Sequence, residues 1–129
     1  MAHPIQIILT RQLAAYLSVP LFHVDPKGNL IFYNEPAEAI LGRRFDETGA
    51  MPLEEWWSAF TRSDDEGQLI QPEDHPLMIT LTEKRPIYKR YHMRGPDGLV
   101  RHIEVTSIPI TELQGDLLGA VALFWEISE

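Results

Sequence analysis

Two short loops of one design punctuate this chain: Pro26-Lys27-Gly28 and Pro96-Asp97-Gly98, each set between two apolar-rich runs. Proline already holds the φ needed at the first central position of a type I turn. Glycine takes the left-handed position that completes a three-residue hairpin loop with a bulge. Such loops fix cross-strand register. In the second hairpin Arg94 opposes Val100, Met93 opposes Arg101, His92 opposes His102, Tyr91 opposes Ile103 and Arg90 opposes Glu104. The last pair is opposite in charge and supports the same register independently. In the first hairpin Val24 opposes Leu30 and Phe22 opposes Phe32. The chain must therefore be built around antiparallel hairpins.

The 129 residues suffice for one domain with a substantial core. A net charge of −8 without any basic cluster argues against nucleic acid as a partner. The absence of cysteine removes disulfides, thiolate metal sites and thiol chemistry. The apolar run Ile7-Ile8-Leu9 breaks at Thr10-Arg11-Gln12, too short for a signal peptide or a membrane span, so a cytoplasmic protein without membrane contact is expected.

Ile5, Ile8, Leu9, Leu13, Tyr16 and Leu17 recur at helical spacing, with Arg11 and Gln12 on the other side. Pro4 suits the first turn of that amphipathic helix, and Pro20 follows its end. Strands are expected over 21–25 and 29–33. Asn34 is placed to cap a short helix ending at Gly42. A second short helix carries Trp56, Trp57 and Phe60, and an acidic loop covers 63–71. Asp74 is placed to cap a helix with Pro76 inside it and Leu77, Met78 and Leu81 on one face. The long hairpin 86–94 and 100–110 and a last strand 117–127 complete the chain. The reading is an α+β domain. It has a five-stranded antiparallel sheet, short helices between strands two and three, and an N-terminal amphipathic cap over residues 1–18.

Three stretches resemble a PAS domain, over most of the chain from about Leu17 and with the domain proper at 19–129. Residues 20–34, followed by Ala37, Leu41 and Gly42, look like its opening hairpin and first helix. Arg94 to Arg101, with Pro109 downstream, looks like its central hairpin. Gly115 and Gly119-Ala120-Val121, leading to Glu126-Ile127-Ser128-Glu129, look like the last strand and the Asp-Ile-Thr signal-exit motif, with Glu and Ser in place of Asp and Thr. The resemblance implies a sensory or dimerisation module, not an enzyme. It implies a small molecule, or none, between the sheet and the middle helices. It also implies a downstream effector, such as a histidine kinase or another regulator, reached from the C-terminus.

Alternation divides the side chains between two faces. Phe22, Val24, Leu30, Phe32, Tyr91, Met93, Ile103, Val105, Ser107, Ala120, Ala122 and Phe124 share one. In the family the corresponding face looks toward the middle helices and any ligand. Small Ser107, Ala120 and Ala122 beside large neighbours leave room for a largely apolar ligand, walled by Trp56, Met78 and Leu81. Alternatively, Trp56, Trp57, Met78 and Leu81 fill the space, and the domain is a ligand-free interaction module. The other face carries Leu21, His23, Ile31, Tyr33, His92, His102, Ile108, Val121, Leu123 and Trp125. That area is too apolar for water. Ile5, Leu9, Leu13 and Tyr16 of the first helix supply the cover, from the same chain or from a second copy, and a homodimer is expected.

Haem is disfavoured, because His75 stands in a first helical turn beside Pro76 and reads as an exposed end. A flavin held through a cysteinyl adduct is excluded by the missing cysteine. Non-covalent flavin stacked on Trp56 and Trp57 is conceivable but disfavoured. His92 and His102 are cross-strand neighbours with no third ligand at fixed spacing, so no bound metal is expected. No nucleophile with a base, no carboxylate pair in a cleft and no phosphate loop points to catalysis.

Overall fold

A computed structural model describes residues 5–112 and 114–127, apart from the side chain of Ala14. Pro4, Ser128 and Glu129 lie outside the described residues. The elements are α1 (Ile5–Tyr16), β1 (Leu21–Val24), β2 (Leu30–Tyr33), α2 (Glu35–Leu41), α3 (Phe45–Thr48), α4 (Leu53–Ser58), β3 (Thr61–Ser63), a 3-10 turn (Pro72–Asp74), α5 (Pro76–Glu83), β4 (Ile87–Arg94), β5 (Val100–Thr111) and β6 (Leu117–Glu126). One antiparallel sheet runs in the order β2-β1-β6-β5-β4-β3. It has six strands, not five. The extra strand, β3, lies at an edge and comes from the residues between the Trp56–Phe60 segment and the acidic stretch read as loop, which it overlaps only at Ser63. It pairs Thr61, Arg62 and Ser63 with Arg94, Met93 and His92. The helices are thereby divided, α2 to α4 before β3 and α5 after it.

The turn chemistry performs as its residues dictate. Gly28 and Gly98 adopt φ of 90° and 80°, and each donates its N–H back to the carbonyl of Asp25 or Gly95. The second hairpin has the expected register at all five pairs, and Arg90 meets Glu104 at 2.7 Å. The first hairpin does not. Val24 pairs with Leu30, but His23 pairs with Phe32 and Phe22 with Tyr33. Ile31 is an extra residue on β2, a bulge that turns every side chain after it to the opposite face. Tyr33 therefore joins the inner core with Val24 and Leu30, and Phe32 packs outside with Leu21 and Val121.

Asn34 caps α2 by accepting from Ala37 N–H at 3.2 Å, and it also accepts from Leu21 N–H at 3.0 Å. One side chain thus ties the helix start to β1. On the opposite sheet face α1 lies over its own chain. It buries Ile7, and Arg11, expected on the helix's outer side, donates to the Ile31 carbonyl and sits over the Phe32 ring. Leu21 and Val121 are buried within the chain, whereas Ile5, Leu9, Leu13, Tyr16 and Trp125 stay exposed. Leu123 and Ile31 are half-buried.

Candidate functional site

Between the inner sheet face and the helices lies a small cavity of about 20 Å³, room for roughly one water molecule. Of the residues nominated from the sequence, Phe22, Trp56, Tyr91, Met93, Val105, Ala122 and Phe124 line it, and Phe60, Arg62, His75 and Leu77 complete the lining. Phe22 and Phe124 come from adjacent strands and stack with centroids 5.7 Å apart and planes 4° apart. Val24, Ile103, Ser107 and Ala120 are buried in the core away from this space, and Phe32 is on the other face.

Met78 and Leu81 do not wall the cavity. They edge a surface groove with Pro26, Pro72 and Thr82. The side of α5 that meets the sheet is Pro76, Leu77 and Thr80, all buried, one step round from the expected face. Thr80 lies against the backbone of Ser107, with its hydroxyl 3.5 Å from that carbonyl. Ser107 pairs with Ala122 across β5 and β6, and α5 packs on both strands. Of the small-residue stripe, Ala122 borders the cavity, while Ser107 lies under α5.

His75, expected at an exposed helix end, is fully enclosed. It takes the capping role assigned to Asp74: Nδ1 accepts from Leu77 N–H at 3.1 Å. Its Nε2 meets the Tyr91 hydroxyl at 3.1 Å. Burial, with a further push from positive Arg62 and Lys89, holds its pKa well below the ordinary imidazole value, so the ring is neutral and Nδ1 is free to accept. With Nδ1 accepting, Nε2 carries the proton and donates it to the tyrosine oxygen. Burial also raises the pKa of Tyr91, with Arg62 opposing that rise.

Arg62 is the least expected member. Its side chain leaves the edge strand β3 and turns inward, leaving it only 5% exposed. Its Nη1 donates to the carbonyls of Trp57 at 3.2 Å and Phe60 at 3.4 Å, and the guanidinium stacks on Trp57 at 4.0 Å. Among the described residues no carboxylate lies within ion-pair distance of it. Burial lowers its pKa, opposed by Tyr91. The site thus combines an aromatic and aliphatic wall with one corner made of a cation, a phenol and a neutral imidazole.

The chain matches the family model described as "PAS fold" over residues 16–129. It belongs to the PAS-fold family. No curated protein matches its sequence. Among solved structures, the PAS domain of Bordetella pertussis BvgS is 17% identical, with a TM-score of 0.65, over 96% of this chain and 87% of that one. The PAS domain of nitrogen regulation protein NR(II) from Vibrio parahaemolyticus is 17% identical, with a TM-score of 0.63, over 92% and 98%. A structure of VqmA bound to DPO is 13% identical, with a TM-score of 0.57, over 95% of this chain and 58% of that one. At such identities the likeness is one of fold, and it agrees with the sheet and helices described above. PAS domains are sensory and signalling modules.

The second cluster in this PAS domain lies on the outer sheet face. His92 and His102 stack with centroids 4.3 Å apart and planes 8° apart. Asp65, from the turn after β3, brings one carboxylate oxygen to 3.7 Å from a nitrogen of each ring. The three donors lie within 4.8 Å of one another and offer two nitrogens and an oxygen to a borderline metal such as zinc. Parallel ring planes cannot both contain one ion, so binding would require an imidazole to turn. At the C-terminal end of β6, Ile127 donates its N–H to the His102 carbonyl at 2.8 Å, and Glu126 approaches Arg101 at 3.4 Å. Among the described residues no helix is long and apolar enough to cross a membrane.

Proposed function

We propose that this PAS domain is a cytoplasmic sensor that takes up a small, largely apolar organic molecule and relays its presence by contacts, without chemistry of its own. One observation carries the reading: the cavity is walled by aromatic side chains and has a polar corner at Arg62, Tyr91 and His75. Apolar walls with a few convergent polar groups are the usual build of a small-molecule site. That VqmA, a distant fold neighbour, is described as bound to DPO supports ligand uptake by this architecture. The competing reading, a ligand-free docking module, draws on the cavity's small volume of about 20 Å³.

The relay runs along β6. Phe124 lines the cavity, and two residues later Glu126 and Ile127 hold the sheet through Arg101 and His102. The receiving surface is the free face of α1. Ile7 and Arg11 face the chain's own sheet, leaving Leu9 55% and Leu13 61% exposed as neighbours one turn apart. Such an apolar stripe suits a two-fold contact with the same stripe of a second copy, the homodimer through which an effector such as a histidine kinase would be driven.

The double variant Leu9→Lys/Leu13→Lys tests this interface. Light scattering at micromolar concentration is expected to report a dimer for the parent and a folded monomer for the variant. A monomeric parent would contradict the dimer relay and leave α1 as a lid on its own sheet.

A further inference from the structure

Arg62 is a buried cation for which the described residues supply no anion within ion-pair distance. Transferring a guanidinium out of water carries a large desolvation penalty, which natural proteins commonly meet with a carboxylate. Here the offsets are two backbone carbonyls, the face of Trp57 and the Tyr91 hydroxyl. One buried donor, Nε, has no hydrogen-bond partner among the described residues. A buried N–H of a charged group left unpaired is among the costlier defects a fold can carry. The side chain is not there by default: from an edge strand a guanidinium reaches water easily, and its neighbours Thr61 and Ser63 are exposed or half-exposed. Its Nη1 donates to the carbonyls at the end of α4, the guanidinium also meets the Tyr91 hydroxyl, and the side chain lines the cavity.

We propose that the ligand of this cavity carries a carboxylate, seated on Arg62 and also accepting the Tyr91 hydroxyl proton, with its apolar body against Phe22, Met93 and Phe124. The inference rests on the reading of this cavity as a ligand site and specifies its chemistry. A planar carboxylate matches the guanidinium fork, gives Nε its acceptor and supplies the missing charge. His75 supports the arrangement by donating from Nε2 to the Tyr91 oxygen, which leaves the phenol proton to point at the ligand. No acidic side chain stands there to repel an anion. A ligand larger than one water must move a wall, and the wall bearing Arg62 is the cheapest to move. β3 is three residues long and lies at the sheet edge, held by β4 on one side and on the other only by the Ile70 N–H bond to the Arg62 carbonyl and the Ser63–Leu69 bridge of its own turn. A short edge element of this kind opens at less cost in free energy than the central strands. An anion on Arg62 would then tie that edge strand, and the Asp64–Gly67 turn beyond it, to the core.

Benzoate and its neutral isostere benzamide are matched probes, each planar and apolar, differing in the carboxylate. Isothermal titration calorimetry of the intact chain is expected to give benzoate at least tenfold tighter binding than benzamide. Arg62→Gln is expected to abolish that preference and Arg62→Lys to retain part of it. In the parent, benzoate should also shift the NMR signal of the Arg62 Nε–H, a readout independent of any variant's folding. Equal binding of the two probes would overturn the carboxylate assignment and leave the ligand site standing. A benzoate preference that survives in Arg62→Gln, or arises with no change at Arg62 Nε–H, would overturn the role of Arg62. Failure of both probes to bind at millimolar concentration would overturn the inference together with the ligand site.

Discussion

Gly119→Ala is expected to cost about 3 kcal/mol or more, and Gly119→Val to leave little folded protein. Gly119 opens the part of β6 that pairs with β1, beside the Val24–Ala120 contact. Its φ is 143°, a conformation that residues with a Cβ adopt only under strain of about 1–3 kcal/mol. Worse, a Cβ at this position would collide with the backbone carbonyl oxygen of Val24. A backbone atom cannot swing aside as a side chain can, so β1 would have to part from β6. Since β1 also carries β2, that movement would pull two strands from the sheet. Gly28 offers the contrast. A Cβ there would meet the flexible end of Met78, leaving mainly the cost of its φ of 90°. Urea unfolding followed by circular dichroism measures the difference, and an unchanged midpoint for Gly119→Ala would contradict the close approach.

Trp56→Ala is expected to cost about 3–5 kcal/mol, the range for deleting a buried aromatic side chain. Trp56 is buried at the centre of the helical layer, and its indole N–H donates to the Gly28 carbonyl at 2.9 Å. That bond ties α4 to the first hairpin loop. The ring also packs edge-on against Trp57 and His75. Trp56→Phe keeps most of the packing and loses the hydrogen bond, and is expected to cost about 1–3 kcal/mol through the unpaired carbonyl. Thermal and urea unfolding of both variants check the order. A Trp56→Ala protein as stable as Trp56→Phe would mean that α4 is not packed as described.

The hairpin registers show what the sequence can and cannot disclose. At the second loop, turn residues, alternation and the Arg90–Glu104 pair agree, and all five pairings follow. At the first, the bulge at Ile31 has no signature, because Leu30-Ile31-Phe32-Tyr33 alternates as well with the extra residue as without it. The faces of Phe32 and Tyr33 are therefore exchanged, and Tyr33 finds Thr48, at 2.9 Å, in a helix that the sequence does not mark. The aromatic wall was legible as a set of sheet positions. Its polar corner was not. Arg62 precedes an acidic run and reads as a solvated residue, although Trp56, Trp57 and Phe60 close by are the cation–π partners that could have betrayed it. His75 lost the capping role to Asp74 in the sequence reading because aspartate is the commoner cap. On α5, spacing groups Leu77 with Met78 and Leu81 but cannot say that the buried side is instead Leu77 with Pro76 and Thr80.

Native mass spectrometry of the purified chain, before and after incubation with benzoate, tests the ligand-sensing account most directly. The account predicts a bound mass of one small molecule per chain, either carried through purification or acquired from benzoate. It also predicts loss of the benzoate adduct when Arg62 is replaced by Gln. A bare chain mass under both conditions would contradict it and make this PAS domain a docking module with a filled interior.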